Sequence, residues 1–148
     1  MITLGAAADL ARRAHAGQVD KAGVDYIHHV TAVSEALRVY GEDAQIAGVL
    51  HDVLEDTDVT VPDLRAAGVP AHVLVAIESV TRRPGEAYMT MIARAAADQL
   101  GRLVKLADNR HNSDEARLSL LPARQAASLR KRYAAARVLL EDPFRDPD

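Results

Sequence analysis

Four side chains that can bind a cation or move a proton stand close together in one short, otherwise apolar segment. They are His51, Asp52, Glu55 and Asp56. At about 100° per residue, they fall on one side of a helix and the apolar residues around them fall on the other. Asp52 and Asp56 are like charges one turn apart, and the helix dipole disfavours each anion near the C-terminal end by roughly 0.3–1 kcal/mol. A bound cation would remove both penalties, whereas without one the segment is an ordinary solvated acidic face.

Two further groups of candidate ligands occur elsewhere in the chain. Their members are His28, His29, Asp108, His111 and Asn112. Each group alone has an ordinary structural explanation. A lone His29 at a helix start can be a capping or core histidine, and Asp108 can pair with Lys105 three residues earlier.

The three groups taken together fit a mixed imidazole and carboxylate site. Such a donor set suits Mn²⁺, Fe²⁺ or Zn²⁺ better than Ca²⁺ or Mg²⁺. Two His and two Asp leave coordination positions open, so an ion held there would bind water, lower the pKa of that water towards neutrality and polarise a phosphoryl oxygen. Glu55, one turn beyond His51 on the same face, could then accept the proton from that water.

The composition indicates that helices position these groups. The chain has 148 residues, which suits a single domain with a core of useful depth. Hydrophobic residues, mainly Ala, Leu and Val, make up 49% of the chain and aromatic residues only 3%, which favours closely packed helices over a sandwich or barrel. We therefore predict an all-α fold. With no Cys, the chain has no disulfides.

Charge and hydropathy argue against several classes of function. The net charge of -3 argues against nucleic-acid binding as the main activity, because affinity for a phosphate backbone needs clustered Lys and Arg. No apolar run reaches the roughly 18 residues of a membrane span, and no charged-then-apolar leader opens the chain. We expect a cytoplasmic protein that is a monomer or a homodimer.

Apolar periodicity, glycines and prolines predict where the helices lie. The predicted helices cover residues 2–15, 26–40, 43–55, 60–68, 70–80, 86–97 and 100–112, followed by a last helix that starts at Pro122. Thr60 and Asp63 form a predicted capping box. A polar loop over residues 16–25 separates the first two helices. We expect one domain over residues 1–141 and a flexible tail over residues 142–148.

Four motifs occur in an order that resembles a known family. They are H-x-G-Q at 15–18, G-x-x-Y-I-x-H at 23–29, L-H-D-V-x-E-D-T at 50–57 and K-L-A-D-x-x-x-N at 105–112. This pattern resembles the HD-domain phosphohydrolases. Within them it is most similar to the alarmone (ppGpp) hydrolase domain of the RelA/SpoT type and its small single-domain versions. The resemblance spans roughly residues 7–112.

The resemblance implies an HD-domain helical bundle with a single metal site between its helices. One Mn²⁺, or alternatively Fe²⁺ or Zn²⁺, would be ligated by His29, His51, Asp52 and Asp108. In that family the reaction removes the 3′-pyrophosphate from a guanosine tetraphosphate. The residues that would position or activate the attacking water are Glu55 and Asp56, and those that would contact the nucleotide are Asn112 and Lys21.

Two further cations are candidates for binding the substrate. Lys105 is near the proposed site in sequence and would offset substrate charge. Arg82 could hold distal phosphates, although two Arg residues before Pro84 are usually part of a solvated turn. Lys105 and Arg82 are therefore both candidate substrate-binding residues.

Three positions depart from the family's pattern. Asp20 stands in the loop where alarmone hydrolases usually carry Arg. Val30 follows His29 where they commonly have Pro, and Glu115 stands where the family often has Thr facing the nucleotide. The alternatives are therefore a nucleotidase or another phosphoester hydrolase with the same metal, and a non-catalytic module that binds a nucleotide as a sensor.

Overall fold

Helices account for the regular structure of residues 1–142, the part of the chain that this computed structural model describes. In chain order they are α1 (Leu4–Ala14), α2 (Ile27–Ala36), a 3₁₀ turn (Arg38–Tyr40), α3 (Glu42–Leu50), α4 (Val53–Asp56), α5 (Val61–Ala66), α6 (Ala71–Val80), α7 (Tyr88–Ala97), α8 (Gln99–Asn112), α9 (Glu115–Leu118) and α10 (Ala123–Glu141). Within these residues the extended pairing is one isolated bridge between Val19 and Asp25. The predicted all-α fold is confirmed.

Helices α3 and α8 form the centre of the fold. Helix α3 packs against α1, α2, α6 and α8, and α8 also packs against α2, α6, α7 and α10. Six of the nine residues of α3 are buried, in keeping with its central place. The buried face of α8 carries two charged side chains, Lys105 and Asp108, among its apolar residues. The centre of the core therefore contains the groups that the sequence singled out for chemistry.

A glycine allows α2 and α3 to approach closely. A Cβ added at Gly48 would lie 2.8 Å from Leu37 Cδ1 and 3.1 Å from the Ser34 Cα. A side chain at this position would therefore require the Leu37 side chain to move and the Ser34 backbone to give by a few tenths of an ångström. The close approach brings the C-terminal end of α3 beside the residues of α2.

The prediction of one continuous helix over residues 43–55 is wrong. Helix α3 ends at Leu50, a turn follows at His51 and Asp52, and α4 resumes at Val53. At the break, the Gly48 carbonyl accepts a hydrogen bond from the His51 side chain over 2.6 Å, while the His51 backbone N–H lies 3.5 Å from the same oxygen. The side chain therefore competes with the backbone ladder and helps to end the helix.

The remaining boundaries agree with the predictions to within a few residues, with two exceptions. The predicted helix over 26–40 ends as an α-helix at Ala36 and continues as the 3₁₀ turn before Gly41, whose φ is +100°. Helix α9 was not predicted, because four residues are too few to show a period. The capping box of Thr60 and Asp63 is present. Apart from Asp142, the predicted tail over 142–148 lies outside the described residues.

No helix within residues 1–142 combines the length and the hydropathy that crossing a bilayer requires.

Candidate metal centre and substrate pocket

Four side chains from three parts of the fold meet at one point. His29 comes from α2, His51 and Asp52 come from the turn between α3 and α4, and Asp108 comes from α8. One ligand atom from each lies within 4.8 Å of all the others. His29 Nε2 is 2.8 Å from Asp108 Oδ1, and His51 Nε2 is 3.0 Å from Asp52 Oδ2. The structure thus brings together the four residues predicted as metal ligands, whereas the neighbouring His28 is exposed.

The hydrogen bonding of His51 tests whether this cluster suits a metal. The Nδ1 atom donates to the Gly48 carbonyl, which directs Nε2 at the Asp52 and Asp108 carboxylates 3.0 and 3.3 Å away. A neutral His51 would place the lone pair of Nε2 against those oxygens, so a cation is needed between them. Burial lowers the pKa of His51, but the two carboxylates outweigh it and raise the pKa well above its usual value. Two nitrogen and two oxygen donors around one point fit a transition metal ion.

Asp108 has both of the roles that the sequence suggested, since it faces the candidate metal site and also pairs with Lys105. Its Oδ1 faces the two histidines, and its Oδ2 lies 2.8 Å from Lys105 Nζ. The Asn112 side-chain amide also donates to Oδ1, over 3.0 Å. Burial would raise the pKa of Asp108, but Lys105 and the histidines hold it well below its usual value. Asp108 is therefore ionised and fixed in position by its neighbours.

Tyr26 orients Asp52, and sequence reasoning missed this role. The Tyr26 hydroxyl donates to Asp52 Oδ2 over 2.5 Å. The Tyr26 ring lies between the rings of His15 and His29, with centroids 5.0 and 5.5 Å away. Burial would raise the pKa of Asp52, but the charge and hydrogen bond of His51 lower it to about 2. The tyrosine was visible in the motif G-x-x-Y-I-x-H, which was the available signal.

The H-x-G-Q motif supports the same side of the site. The His15 backbone N–H bonds to the Ala11 carbonyl and caps α1. The His15 ring is buried and its Nδ1 lies 2.8 Å from Gln18 Oε1. Gln18 Nε2 in turn donates to the Asp56 backbone carbonyl over 2.7 Å. His15 therefore both caps the first helix and braces the loop that follows it against α4.

The two predicted catalytic carboxylates lie beside the cluster. One oxygen of each of Asp52, Glu55 and Asp56 lies within 4.8 Å of the others. Glu55 is exposed and lines the pocket described below, and its Oε1 accepts the Arg82 backbone N–H over 2.6 Å. Although the Asp56 side chain is at the surface, partial desolvation and the charges of Asp52 and Glu55 raise its pKa to about 6. Asp56 can therefore exchange a proton near neutral pH.

A cavity of about 330 Å³ opens onto this cluster. Three of the predicted substrate-binding residues line it: Lys21, Lys105 and Asn112. The opposite wall is largely apolar and comes from α9, the turn after it and α10, through Leu118, Leu121, Leu129 and Tyr133. Four carboxylates and three cations of Lys and Arg line the cavity, so one divalent ion would change the net charge from negative to positive. The pocket can then hold an anion that also has an apolar part.

The fourth predicted substrate-binding residue lies elsewhere. The Arg82 side chain does not line this cavity; its Nε donates to the Glu86 carbonyl over 2.9 Å in the turn between α6 and α7. Arg82 lines a separate shallow groove with Arg83 and Pro84 on the other side of Glu55. The solvated-turn interpretation describes its position better than the distal-phosphate interpretation does.

Arg117 lines the pocket, and no pattern in the sequence predicted this position. Its Nη2 lies 3.1 Å from Asp20 Oδ2, and its Nη1 lies 2.5 Å from His111 Nδ1. His111 Nδ1 is also 2.7 Å from His29 Nδ1, and burial, followed by the charges of His29 and Arg117, lowers the pKa of His111 to about 4. Glu115, by contrast, is exposed and pairs with Arg130 at 2.8 Å, outside the pocket. Among the residues that depart from the family pattern, Asp20 therefore lines the pocket and Glu115 lies outside it.

Residues 7–140 match the family described as "HD domain". The match covers most of the chain, and the chain belongs to the HD domain family. The family and the helical HD-domain fold predicted from the sequence are thus confirmed.

Named relatives share part of their sequence with this chain. It is 37% identical over 110 residues to a probable guanosine-3′,5′-bis(diphosphate) 3′-pyrophosphohydrolase of Synechocystis sp., which covers 66% of this chain and 14% of that protein. It is 33% identical over 129 residues to the guanosine-3′,5′-bis(diphosphate) 3′-pyrophosphohydrolase of Borreliella burgdorferi, which covers 78% of this chain and 19% of that protein. The chain spans less than a fifth of the length of these two curated relatives.

A solved structure has the same fold along nearly the whole chain. It is of a metazoan orthologue of SpoT, which is described as hydrolysing ppGpp. The TM-score is 0.77 at 26% sequence identity, and the match covers 98% of this chain and 86% of that one. The chain in that solved structure is therefore similar in length to this one and has the same fold.

Proposed function

We propose that this chain is a metal-dependent phosphohydrolase that uses water to remove the 3′-pyrophosphate from guanosine 3′,5′-bis(diphosphate) or a related nucleotide. The observation that carries the proposal is the cluster of His29, His51, Asp52 and Asp108 at the cavity, with one donor atom of each within 4.8 Å of the others. The names of the two curated relatives and of the solved structure support the substrate.

The cofactor we propose is one divalent ion per chain, with Mn²⁺ preferred and Fe²⁺ or Zn²⁺ as alternatives. The two imidazole nitrogens and two carboxylate oxygens of the cluster would hold it. When bound, such an ion supplies the positive charge that polarises a phosphoryl oxygen and makes water a better nucleophile near neutral pH.

The carboxylates next to the cluster would handle the proton of the attacking water. Glu55 lines the cavity, and Oε1 is engaged by the Arg82 backbone N–H, so the proton goes to Oε2. Asp56, with a pKa of about 6, is mostly ionised at neutral pH and can accept a proton and pass it to solvent. The like charges of Asp52 and Glu55 help to keep Asp56 basic enough to accept that proton.

The rest of the pocket would bind and orient the substrate. Lys21 is exposed at the cavity wall and can meet a phosphate group directly. Lys105 and Asn112 both bond to Asp108, so their main task is to fix that ligand. The apolar wall with Tyr133 gives a nucleobase or a comparable flat group a surface to pack against.

The test is a metal analysis combined with an activity screen. We expect about one transition ion per chain, and release of pyrophosphate from guanosine 3′,5′-bis(diphosphate) when Mn²⁺ is added. Asp52→Ala removes a ligand and should abolish both metal binding and turnover. Asp58→Ala is the matched control, because Asp58 is an exposed carboxylate outside the cluster, and it should keep both. Full activity of a metal-free chain would contradict the proposal.

Asp20 favours a second candidate, hydrolysis of another small phosphorylated compound at the same site. It places an anion at the cavity where alarmone hydrolases usually carry Arg. Release of phosphate from deoxynucleoside monophosphates or from NADPH, without release of pyrophosphate from the guanosine compound, would support this candidate. Nucleotide binding with a thermal shift, but no product over hours, would instead indicate a non-catalytic sensor.

A further inference from the structure

We propose that Arg117 is a substrate-binding residue of this pocket and that Asp20 positions it. The loop has Asp20 where alarmone hydrolases usually carry Arg, so it supplies no phosphate-binding cation at that position. In this arrangement Arg117 of α9 supplies that cation instead. The inference rests on the proposed function, since it assigns a phosphate group of that substrate to a named side chain.

Arg117 is held at the cavity but is open to a ligand. It belongs to α9, and its guanidinium reaches the loop between α1 and α2, where Nη2 lies 3.1 Å from Asp20 Oδ2. The Arg117 side chain exposes 25% of its surface and the Asp20 side chain only 10%. Both residues line the cavity. The carboxylate is thus the buried partner, and the guanidinium is the one that solvent or a ligand can reach.

The Asp20 carboxylate is fixed by its own loop. Its Oδ1 accepts the backbone N–H groups of Ala22 and Val24 over 2.9 and 3.0 Å, while Oδ2 accepts from Arg117. The carboxylate cannot turn away without losing these loop bonds. The position of the guanidinium is therefore set before any substrate arrives, which lowers the entropy cost of binding.

Arg117 keeps donors for a phosphate after its protein contacts are made. A guanidinium has five N–H donors, and the contacts of Arg117 use Nη1 and Nη2. Its Nε–H has no hydrogen-bond partner within residues 1–142. The planar fork suits phosphate oxygens. Lys105 is different, because it is buried and donates to Asp108.

The guanidinium also lies close to the metal cluster. Its Nη1 is 3.3 Å from His29 Nδ1, while His29 Nε2, on the other side of the same ring, is 2.8 Å from Asp108 Oδ1. Arg117 and the cluster are thus separated by one imidazole ring. A substrate that places one phosphate at the cluster has its other phosphate oxygens within the part of the cavity that Arg117 lines.

The experiment compares Arg117→Gln, Arg117→Lys and a control in the Mn²⁺-loaded protein. The control is Arg130→Gln. Arg130 lies in α10 and pairs with Glu115, which belongs to α9 as Arg117 does, but Arg130 does not line the cavity. Arg117→Gln should raise the KM for the guanosine substrate by about ten- to a hundredfold with a smaller change in kcat, since it removes a charged hydrogen-bond donor. Arg117→Lys should recover part of the loss, because it keeps the charge but not the fork. Arg130→Gln should leave KM unchanged.

A positioning role for Asp20 predicts a smaller effect of its own. Asp20→Asn keeps the size of the side chain and removes the charge that holds Arg117, so KM should rise by about threefold to tenfold. Mn²⁺ affinity should stay within about twofold of wild type in every variant. A KM increase in Arg130→Gln equal to that of Arg117→Gln, or a loss of metal that accounts for the lost activity, would overturn the proposal by showing a structural role.

Binding of inorganic pyrophosphate separates this inference from the proposed function. Calorimetry is done on Mn²⁺-loaded protein after free metal has been removed. Wild-type binding that Arg117→Gln loses supports the inference even if no phosphorylated compound is hydrolysed, in which case only the proposed function fails. Equal affinity and equal KM in wild type and Arg117→Gln would overturn the inference while leaving the proposed function standing.

Discussion

The Tyr26 hydroxyl donates a hydrogen bond to Asp52 Oδ2 and so fixes that oxygen at the cluster. Tyr26→Phe removes this hydrogen bond and keeps the ring between His15 and His29. Partners that orient a ligating carboxylate typically change metal affinity by about ten- to a hundredfold, so we expect Mn²⁺ to bind roughly tenfold more weakly. Titration calorimetry measures the effect. Tyr40→Phe, at an exposed tyrosine of the 3₁₀ turn, is the control and should bind Mn²⁺ as wild type does; equal affinity in both variants would contradict this role.

Single residues were predictable where their type limits their chemistry. The groups that contain His29, His51, Asp52 and Asp108 were recognisable as candidate ligands because imidazole and carboxylate groups inside apolar helices need a partner, and the resemblance to the HD-domain phosphohydrolases singled out these four. Arg117 could not be found, since an arginine next to polar residues is usually solvated and its pairing with Asp20 spans 97 positions of the chain. Long-range ion pairs leave no periodic signal.

At the scale of elements, the approach of α2 to α3 depends on Gly48. Gly48→Ala would put a methyl group 2.8 Å from Leu37 Cδ1 and 3.1 Å from the Ser34 Cα, so the Leu37 side chain must move and the α2 backbone at Ser34 must give by a few tenths of an ångström. We expect a loss of about 1–3 kcal/mol in the free energy of unfolding, measured by urea denaturation.

Gly5→Ala is the matched control for that variant. Gly5 also lies inside a helix, but a Cβ there meets only Thr3 Oγ1, at 4.0 Å. Alanine is the better helix former, so this variant should be as stable as wild type or about 0.5–1 kcal/mol more stable. A Gly48→Ala protein as stable as the Gly5→Ala protein would show that the helices are not closely packed at this point.

The elements also show where periodicity stops being informative. The helices over residues 70–80 and 100–112 were predictable because their apolar faces repeat over several turns. The break between α3 and α4 was not, because it depends on the His51 side chain binding the Gly48 carbonyl. That contact changes the direction of the chain at the two residues that join the cluster from this segment, His51 and Asp52.

For the whole molecule, the metal cluster links α2, the turn between α3 and α4, and α8. An ion that binds only the folded state stabilises it by about 2.7 kcal/mol at a concentration of 100 times Kd. At roughly 2–4 °C per kcal/mol for a domain of this size, the Tm should rise by about 5–10 °C with Mn²⁺. Scanning calorimetry of wild type, Asp52→Ala and Asp58→Ala checks this. Wild type and Asp58→Ala should show the shift, and the same shift in Asp52→Ala would place the ion elsewhere.

At this scale the all-α fold and the HD domain family could be predicted from the sequence, and the shape of the pocket could not. The apolar wall of the cavity is built from α9 and α10. Leu118 and Leu129 reach the cavity because α9 and α10 pack on each other in a small core of their own. The apolar residues of these helices show only that they are buried, not which of them faces a ligand.

The most direct test of the proposed activity is the product analysis of guanosine 3′,5′-bis(diphosphate) incubated with the Mn²⁺-loaded protein. We expect guanosine diphosphate and inorganic pyrophosphate in equal amounts, no product when the metal is removed by chelation, and recovery of activity when Mn²⁺ is restored. A folded protein that holds one ion per chain in this cluster but releases no pyrophosphate from this compound would contradict the proposed activity.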